Sequence, residues 1–408
     1  MELRKWPRRN SPESIKARQA ELAGLVGDGE VFWNDLQPWA NAQEALTGVA
    51  VIPVSVIGPL DLSLGVYELE EPSGTLVEIE RVREHVYIPL AHTEGGLSVS
   101  LYRGARAAAE RDGFRTYVLK DRMTRASCFV CRSTEDAVAL ARFLDAHVAD
   151  MRKWLADRVT VDSSVSKFAK LREVETHVIG PMCHVLWAFT TGDAAGPNMI
   201  TRNSYALNTG FVMGCTPVKP ERAILEANMG GDKKPSHRYF ERGGHGKTVV
   251  AECTLPEHAV ERILRARVDD LVDLAWAGTH GAVASGMQSV AFTPASVVAA
   301  MFAATGQDLG MVGTSSMAHS TARRVEDGLH CSLRLPGLEV GTVGGGATLP
   351  FARSWLALMG CAGTGKVYRF AQIVAAAALA LEISASASMA TAGSENFYRA
   401  HQERGGLR

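Results

Sequence analysis

The sequence predicts a mixed α/β (α+β) fold in which a small α+β unit is inserted into a larger one. Three observations predict it. The chain has 408 residues, 46% of them hydrophobic, too many for one simple core, so two intertwined or sequential domains are expected. Between about 126 and 220, strand-like runs alternate with a clearly helical stretch. Near the C-terminal end, Phe370 to Ala392 form a long Ala-rich segment interrupted by Gln372, Glu382 and three serines. A membrane-spanning helix needs about 20 predominantly apolar residues, so this segment reads as a small-residue helix packed inside the protein. The chain reads as soluble, with no membrane partner.

In chain order, residues 1–45 read as a charged helical arm. From about 45 to 65 the pattern turns apolar and β-branched with Gly and Pro punctuation (LTGVAVIPVSVIGPLDLSLG), the mark of strands and turns. Residues 97–113 read as a helix with small residues on one side, ending near Gly113. Short strand-like runs follow (TYVLKDR, ASCFVCR, HVIGPMCHVLWAFTT). Between them, 135–158 reads as one helix, with Leu140, Phe143, Leu144, Met151 and Leu155 at helical spacing. Thr254-Leu-Pro-Glu257 reads as a capping box opening an amphipathic helix to about 277. Thr293-Pro294 opens another that ends at Gly306. Residues 331–350 return to strand and Gly-rich turn, and two helices and a short polar tail follow.

Charge is balanced, 43 basic against 44 acidic residues, without the basic footprint of a nucleic-acid binder or a polybasic membrane anchor. The start, MELRKWPRRN, is basic but lacks the apolar core of a signal peptide. Seven cysteines are an odd, sparse set, which fits a reducing cytoplasm better than a disulfide framework.

Three motifs carry less than their spelling suggests. Gly360 to Val367 (GCAGTGKV) nearly matches a phosphate-binding loop, but Val367 stands where a magnesium-holding Ser or Thr is required and the preceding segment is helical. It reads as a helix–turn–helix. Cys128 and Cys131 form a lone CxxC with no second pair, so no metal site is expected. Gly341-Thr-Val-Gly344-Gly345-Gly346 is not a dinucleotide fingerprint; alone it marks a turn where backbone comes close to something.

Specificity comes from several unusual strings in one order. They are PVSVIGPL (53–60), HTEGGLSVSLYRGARA (from 92), MTR (123–125), SKFAKL (166–171), GDAAGPNM (192–199), DKKP (232–235), GQD (306–308) and GTVGGG (341–346). Together they resemble the hydroxymethylglutaryl-CoA reductase family, class I-like in its soluble catalytic part, over about 44–402. The resemblance implies a large domain around a long central helix (46–125 and 221–385), a small ferredoxin-like NADP-binding domain inserted at 126–220, and a C-terminal flap at 386–408. It implies NADPH (NADP+) as cofactor, an acyl-CoA thioester as substrate, and a homodimer or dimer of dimers with active sites between subunits. The reaction it implies is reduction of hydroxymethylglutaryl-CoA to mevalonate; the alternative is a divergent reductase acting on another acyl-CoA or a carrier-protein thioester.

The resemblance assigns Glu94, Lys233, Asp308 and His401 to catalysis. The chemistry suits these types. A fixed cation such as Lys233 stabilises an oxyanion, a carboxylic acid such as Glu94 delivers a proton, Asp308 orients both through hydrogen bonds and charge, and a histidine protonates the departing thiolate. Singly, Glu94 and Asp308 could be caps and Lys233 a solvated lysine; their shared order assigns the roles. For the cofactor, Ser166 and Lys167 match the positions that hold the ribose 2′-phosphate, with Asp193, Ala195, Gly196, Asn198, Gly344 and Gly345 along the ribose and nicotinamide. Arg125, Lys234, Ser296, Ser100 and Arg103 fall to the substrate.

The pattern also departs from the family. The usual GHLVKSH-like string is replaced by Gly393-Ser-Glu-Asn-Phe-Tyr-Arg-Ala-His401. The polar positions that face the substrate at one helix start become Thr293 and Ser296, and a serine beside the substrate carboxylate becomes Glu226. An acid there repels a carboxylate unless it is protonated or turned away. The basic loop that contacts CoA reads WAGTH (276–280), without its lysine. These departures bear on the acyl group and on its carrier.

Overall fold

The computed structural model describes residues 11–26, 36, 39–40, 42–391 and 395–404. Of the expected N-terminal arm, a helix Pro12–Val26 is described. The chain then enters a long hairpin, β1 (Val54–Glu70) and β2 (Thr75–Ala91), each 17 residues.

The helix Leu97–Ala109 follows and leads into β3, which runs unbroken from Phe114 to Val130. Two short strand-like runs, 116–122 and 126–132, were expected here, the first carrying the charged Lys120-Asp-Arg122 at its end. The charges are satisfied internally. Asp121 accepts a bond from the Tyr368 hydroxyl at 2.9 Å and lies 3.6 Å from the Lys247 ammonium, while Arg122 pairs with Glu173 and Glu175. The strand therefore continues through them.

β3 belongs to two sheets. Its first half lies beside β1 in parallel and beside β7 (Gly246–Pro256) antiparallel. Its second half pairs antiparallel with β5 (Met182–Thr190) and with β6 (Arg222–Ile224). The larger sheet runs β2-β1-β3-β7-β9-β8, with β8 at His319–Val325 and β9 at Gly328–Leu338. The smaller runs β4-β5-β3-β6, with β4 at Lys170–Ile179. The single strand expected over 177–191 is in fact the hairpin of β4 and β5, turned at Gly180-Pro181.

Two further helix expectations are corrected. The stretch 135–158 is two helices, Thr134–Ala146 and Val148–Val161, because His147 leaves helical geometry at φ −114° and ψ 30°. The proposed capping box at Thr254 is the end of β7; the helix after it breaks at Arg265, which is left-handed at φ 57°, and restarts as Val268–Ala284. The helix Pro294–Thr305 starts and stops where Thr293-Pro294 and Gly306 place it.

The core is organised around the helix Val367–Ala390. Its length and mean hydropathy of 1.7 meet the test for a membrane span, but 72% of the apolar window is buried against the rest of the chain. Alanines let neighbours approach closely. At Gly104, in the helix Leu97–Ala109, a Cβ would sit 1.8 Å from the Ala380 carbonyl oxygen, so the two backbones touch at a point where only glycine fits. The polar interruptions also have buried work. Gln372 bonds both backbone groups of Gly65 on β1, at 2.8 and 2.9 Å. Glu382 accepts from the amides of Phe292 and Thr293, the Thr293 hydroxyl and Ser320, and so caps the N-terminus of the helix Pro294–Thr305.

Candidate active site

The helix Pro294–Thr305 delivers Asp308 just beyond its end, and a turn after Gly231 presents Lys233. Their side chains meet: the Lys233 ammonium lies 3.0 Å from Asp308 Oδ2. Asp308 Oδ1 accepts from the Gly310 amide at 2.9 Å, so one carboxylate both caps a turn and orients the lysine. Lys233 is held in a left-handed backbone conformation, φ 57°, which a non-glycine residue adopts at a cost. The hydrogen bond that Lys233 donates to Asp308 raises the Lys233 pKa above its ordinary value against the opposing effect of burial, with further help from the charges of Asp308, Asp232 and Glu339. Lys233 therefore stays an ammonium, fit to stabilise an oxyanion and unfit to act as a base.

Glu339 lies buried behind this pair, 3.4 Å from the Nδ1 of the buried His245. Sequence reasoning missed both. The available signal was an acid two residues before the Gly-rich turn at 341. Glu94 sits exposed in the loop between β2 and the helix Leu97–Ala109. It makes no hydrogen bond or ion pair with Lys233 or Asp308 among the described residues. His401 falls in the helix Glu395–Arg404, but its side chain lies outside the described residues.

Arg125, at the end of the shared part of β3, is nearly buried. Its Nη1 donates to Glu226 at 2.8 Å and to Asp232 at 2.9 Å. Asp232 precedes Lys233 in the chain, so this cluster adjoins the Lys233–Asp308 pair. Lys234 is exposed and bonds the Asp232 carbonyl at 3.2 Å. Ser296 lies in the first turn of its helix, while Thr293, expected to face substrate, turns its hydroxyl inward to Glu382.

Ser100 and Arg103 lie on the helix Leu97–Ala109. Ser100 bonds the Ser384 hydroxyl at 2.9 Å, and Arg103 donates to Ser384 and Ser388 on the core helix. Arg103 also lines a cavity of about 660 Å³ with Arg106, His258, Arg262, Arg265 and Arg399. Burial, and next the charge of Arg265, lower the Arg103 pKa. A polyanion entering this cavity would relieve that mutual repulsion.

On the smaller sheet, Ser166 and Lys167 line a second cavity, of about 150 Å³, with Arg152, Lys170 and Arg172. Asn203 shapes it. Its side chain accepts from the Ser166 amide at 2.7 Å and donates to the carbonyls of Ser166 and Ala169. Its polar side chain on a buried helix face was the available signal, and it was not read.

The loop Asp193–Gly196 packs on the Gly341 turn, where the Thr342 amide bonds the Asp193 carbonyl at 2.8 Å. Ala195 makes the close approach to Gly341, and Asn198 is exposed one residue into the following helix. The Asp193 carboxylate, expected along the ribose, instead accepts from the amides of Gly365, Lys366 and Val367 at 2.8, 2.9 and 3.1 Å. The phosphate-loop look-alike is thus the anion-binding start of the core helix, and its anion is internal. Gly344 and Gly345 are exposed, left-handed at φ 72° and 51°, and open to a ligand approaching the backbone. Cys128 and Cys131 are buried free thiols raised in pKa by burial, and no cluster of metal-ligating side chains occurs among the described residues.

The Lys233–Asp308 pair beside the buried Arg125 can stabilise an oxyanion, and two cation-lined cavities and an open glycine turn elsewhere in the chain suit phosphate-bearing ligands, a set of features that fits the class of nucleotide-using enzymes. A family model described as hydroxymethylglutaryl-coenzyme A reductase matches residues 33–405. The chain is 35% identical over 371 residues to 3-hydroxy-3-methylglutaryl-coenzyme A reductase of Aeropyrum pernix, covering 88% of this chain and 81% of that protein. It is 34% identical over 374 residues to the Pyrococcus abyssi reductase, covering 88% and 83%. The chain belongs to the hydroxymethylglutaryl-CoA reductase family. Its fold is similar to that of the class II reductase of Streptococcus pneumoniae, solved with NADPH in open conformations. The TM-score is 0.64 at 16% identity, over 93% of this chain and 96% of that one.

Proposed function

We propose that this chain reduces 3-hydroxy-3-methylglutaryl-CoA to mevalonate, consuming two NADPH and releasing free CoA. The observation that carries the reading is the Lys233–Asp308 pair at 3.0 Å, in a chain whose relatives bear that activity by name. NADPH, when bound, supplies the hydrides. The chain's own residues do the rest. Lys233, kept charged by Asp308, stabilises the oxygen as the thioester carbonyl becomes a hemithioacetal and later as the aldehyde becomes an alcohol. Glu94 delivers the proton to that oxygen. His401, on the C-terminal helix, protonates the departing CoA thiolate.

The residues present fit the two ligands. The cavity at Ser166 and Lys167 suits a ribose 2′-phosphate, with hydroxyl and cation side by side. Asp193, through its loop rather than its carboxylate, together with Ala195, Gly196 and Asn198, frames the path to Gly344 and Gly345. The cavity of about 660 Å³ ringed by arginines suits the CoA phosphates. Arg399 brings the C-terminal helix to that cavity, so CoA binding and the placement of His401 are coupled.

Glu94 is exposed and makes no described hydrogen bond or ion pair with Lys233, in keeping with an active site completed between two copies. The exposed apolar run Val51, Ile52, Val54 and Val56, beside a cavity framed by Phe351 and Trp355, supports a homodimer face there. Arg125–Glu226 favours a second reading, in which the acyl group differs from hydroxymethylglutaryl.

The test is NADPH oxidation at saturating hydroxymethylglutaryl-CoA, beside Lys233→Ala. Turnover in the parent and its loss in the variant is the expected result. Tight NADPH binding without turnover sends the substrate search to other acyl thioesters.

A further inference from the structure

Among the described residues, Arg125 is the buried guanidinium adjoining the Lys233–Asp308 pair, its side chain 8% exposed. It is already neutralised. Glu226 Oε2 and Asp232 Oδ2 both accept from the same Nη1, at 2.8 and 2.9 Å. Glu226 is also fixed from its other side, where Oε1 accepts from the Asn228 amide at 2.8 Å. That amide belongs to a residue held at φ 65°, so the turn presents Glu226 to Arg125 in a defined pose.

At Arg125 itself two acids share one guanidinium. Glu226, Asp232 and Asp308 face Arg125 and Lys233, and the remaining cation, Lys234, is exposed. An incoming carboxylate meets a guanidinium whose charge is spent, next to two fixed negative charges. Arg125, Glu226 and Asp232 are 8%, 30% and 21% exposed, so that repulsion is only partly screened. To bind at Arg125 Nη1 the carboxylate has to displace Glu226 or Asp232 and leave it unpaired, which is costly for a partly buried acid.

We propose that Glu226 is a specificity-determining residue that occupies Arg125 in place of a substrate carboxylate. It sets this chain's acyl preference toward CoA thioesters whose distal end is a neutral hydrogen-bonding group, such as an amide, an alcohol or an ester. This deepens the reductase reading and rests on it. Hydroxymethylglutaryl-CoA enters by displacing Glu226, while a neutral distal group enters without displacing it and donates to, or packs beside, the Glu226 carboxylate.

The test is equilibrium binding by calorimetry, which needs no turnover. The full chain is titrated with hydroxymethylglutaryl-CoA and with its distal primary amide, in the parent, Glu226→Ser and Glu226→Gln. The parent is expected to bind the amide more tightly than the acid. Both variants are expected to bind the acid about tenfold or more tightly than the parent does, reversing that order. Glu226→Gln separates charge from space, because it keeps the shape of the side chain. NADPH affinity reports that each variant is folded. The proposal is overturned if the acid and the amide keep the same order in the variants as in the parent. It is overturned also if the parent prefers the acid. NADPH oxidation in the same samples reads the reductase assignment separately: no turnover with either thioester removes that assignment, while the binding order still decides the part played by Glu226.

Discussion

At the scale of the residue, Lys233 and Asp308 are worth more together than either sequence position suggested. Asp308 is a turn cap, the ordinary reading of an acid after a helix, and it is also the partner of Lys233. Because the hydrogen bond to Asp308 raises the Lys233 pKa, the charged form persists as pH rises past the ordinary lysine range. The sign follows: removing the acceptor lets that pKa fall. In Asp308→Asn the basic limb of the kcat/KM profile is expected to move to lower pH, with kcat down about 100-fold or more. An unmoved limb would mean that another group sets it. The roles of these two residues were legible only from the order of the short strings. Arg125 was legible in the same way, and Glu226 was flagged as an acid beside it. Asp232, the second acid on Arg125, was not, since an Asp before two lysines reads as a solvated turn.

At the scale of the element, the sequence spoke clearly where punctuation and periodicity agreed, and poorly where tertiary contacts overrode them. The helix Pro294–Thr305 lies between a Thr-Pro start and a glycine stop, and its ends were read correctly. β3 was read as two short runs, 116–122 and 126–132. The pairing of Met123, Thr124 and Arg125 with β5, far along the chain, makes one strand of the two. The Ala-rich segment was read correctly as a packed helix, and its reason is visible at Gly104. Gly104→Ala drives a Cβ into the Ala380 carbonyl, where neither backbone has room to give. It is expected to cost roughly 1–3 kcal/mol or more, measured by urea unfolding. A variant as stable as the parent would show that the two helices can separate there.

At the scale of the whole molecule, the active site is spread over two sheets and, in the proposed dimer, over two chains. Glu94 makes no described hydrogen bond or ion pair with Lys233, and the run from Val51 to Val56 exposes four apolar side chains, at Val51, Ile52, Val54 and Val56. A charge on that run, as in Val51→Glu with Val56→Glu, is expected to shift the chain to monomer in sedimentation velocity and to remove turnover. NADPH binding at the Ser166 cavity should persist, because that cavity lies on the smaller sheet within one chain. A monomer with full activity would place every needed group in one copy.

β3 also sets a timetable for the chain as it is made. Its second half finds β5 at Met182–Thr190 well before its first half finds β7 at Gly246–Pro256. As the polypeptide leaves the ribosome, β2, β1 and the start of β3 can pair first, the smaller sheet next, and both before β7 arrives. The larger sheet is then completed on a strand already in register, with the core helix, last of the long elements to emerge, laid across it. The unit that looks like an insertion can thus be in place, on the same strand, before the far half of its host sheet is added. Cutting it out would leave the larger sheet without the ready-made edge that limits the entropy lost in its most distant pairings.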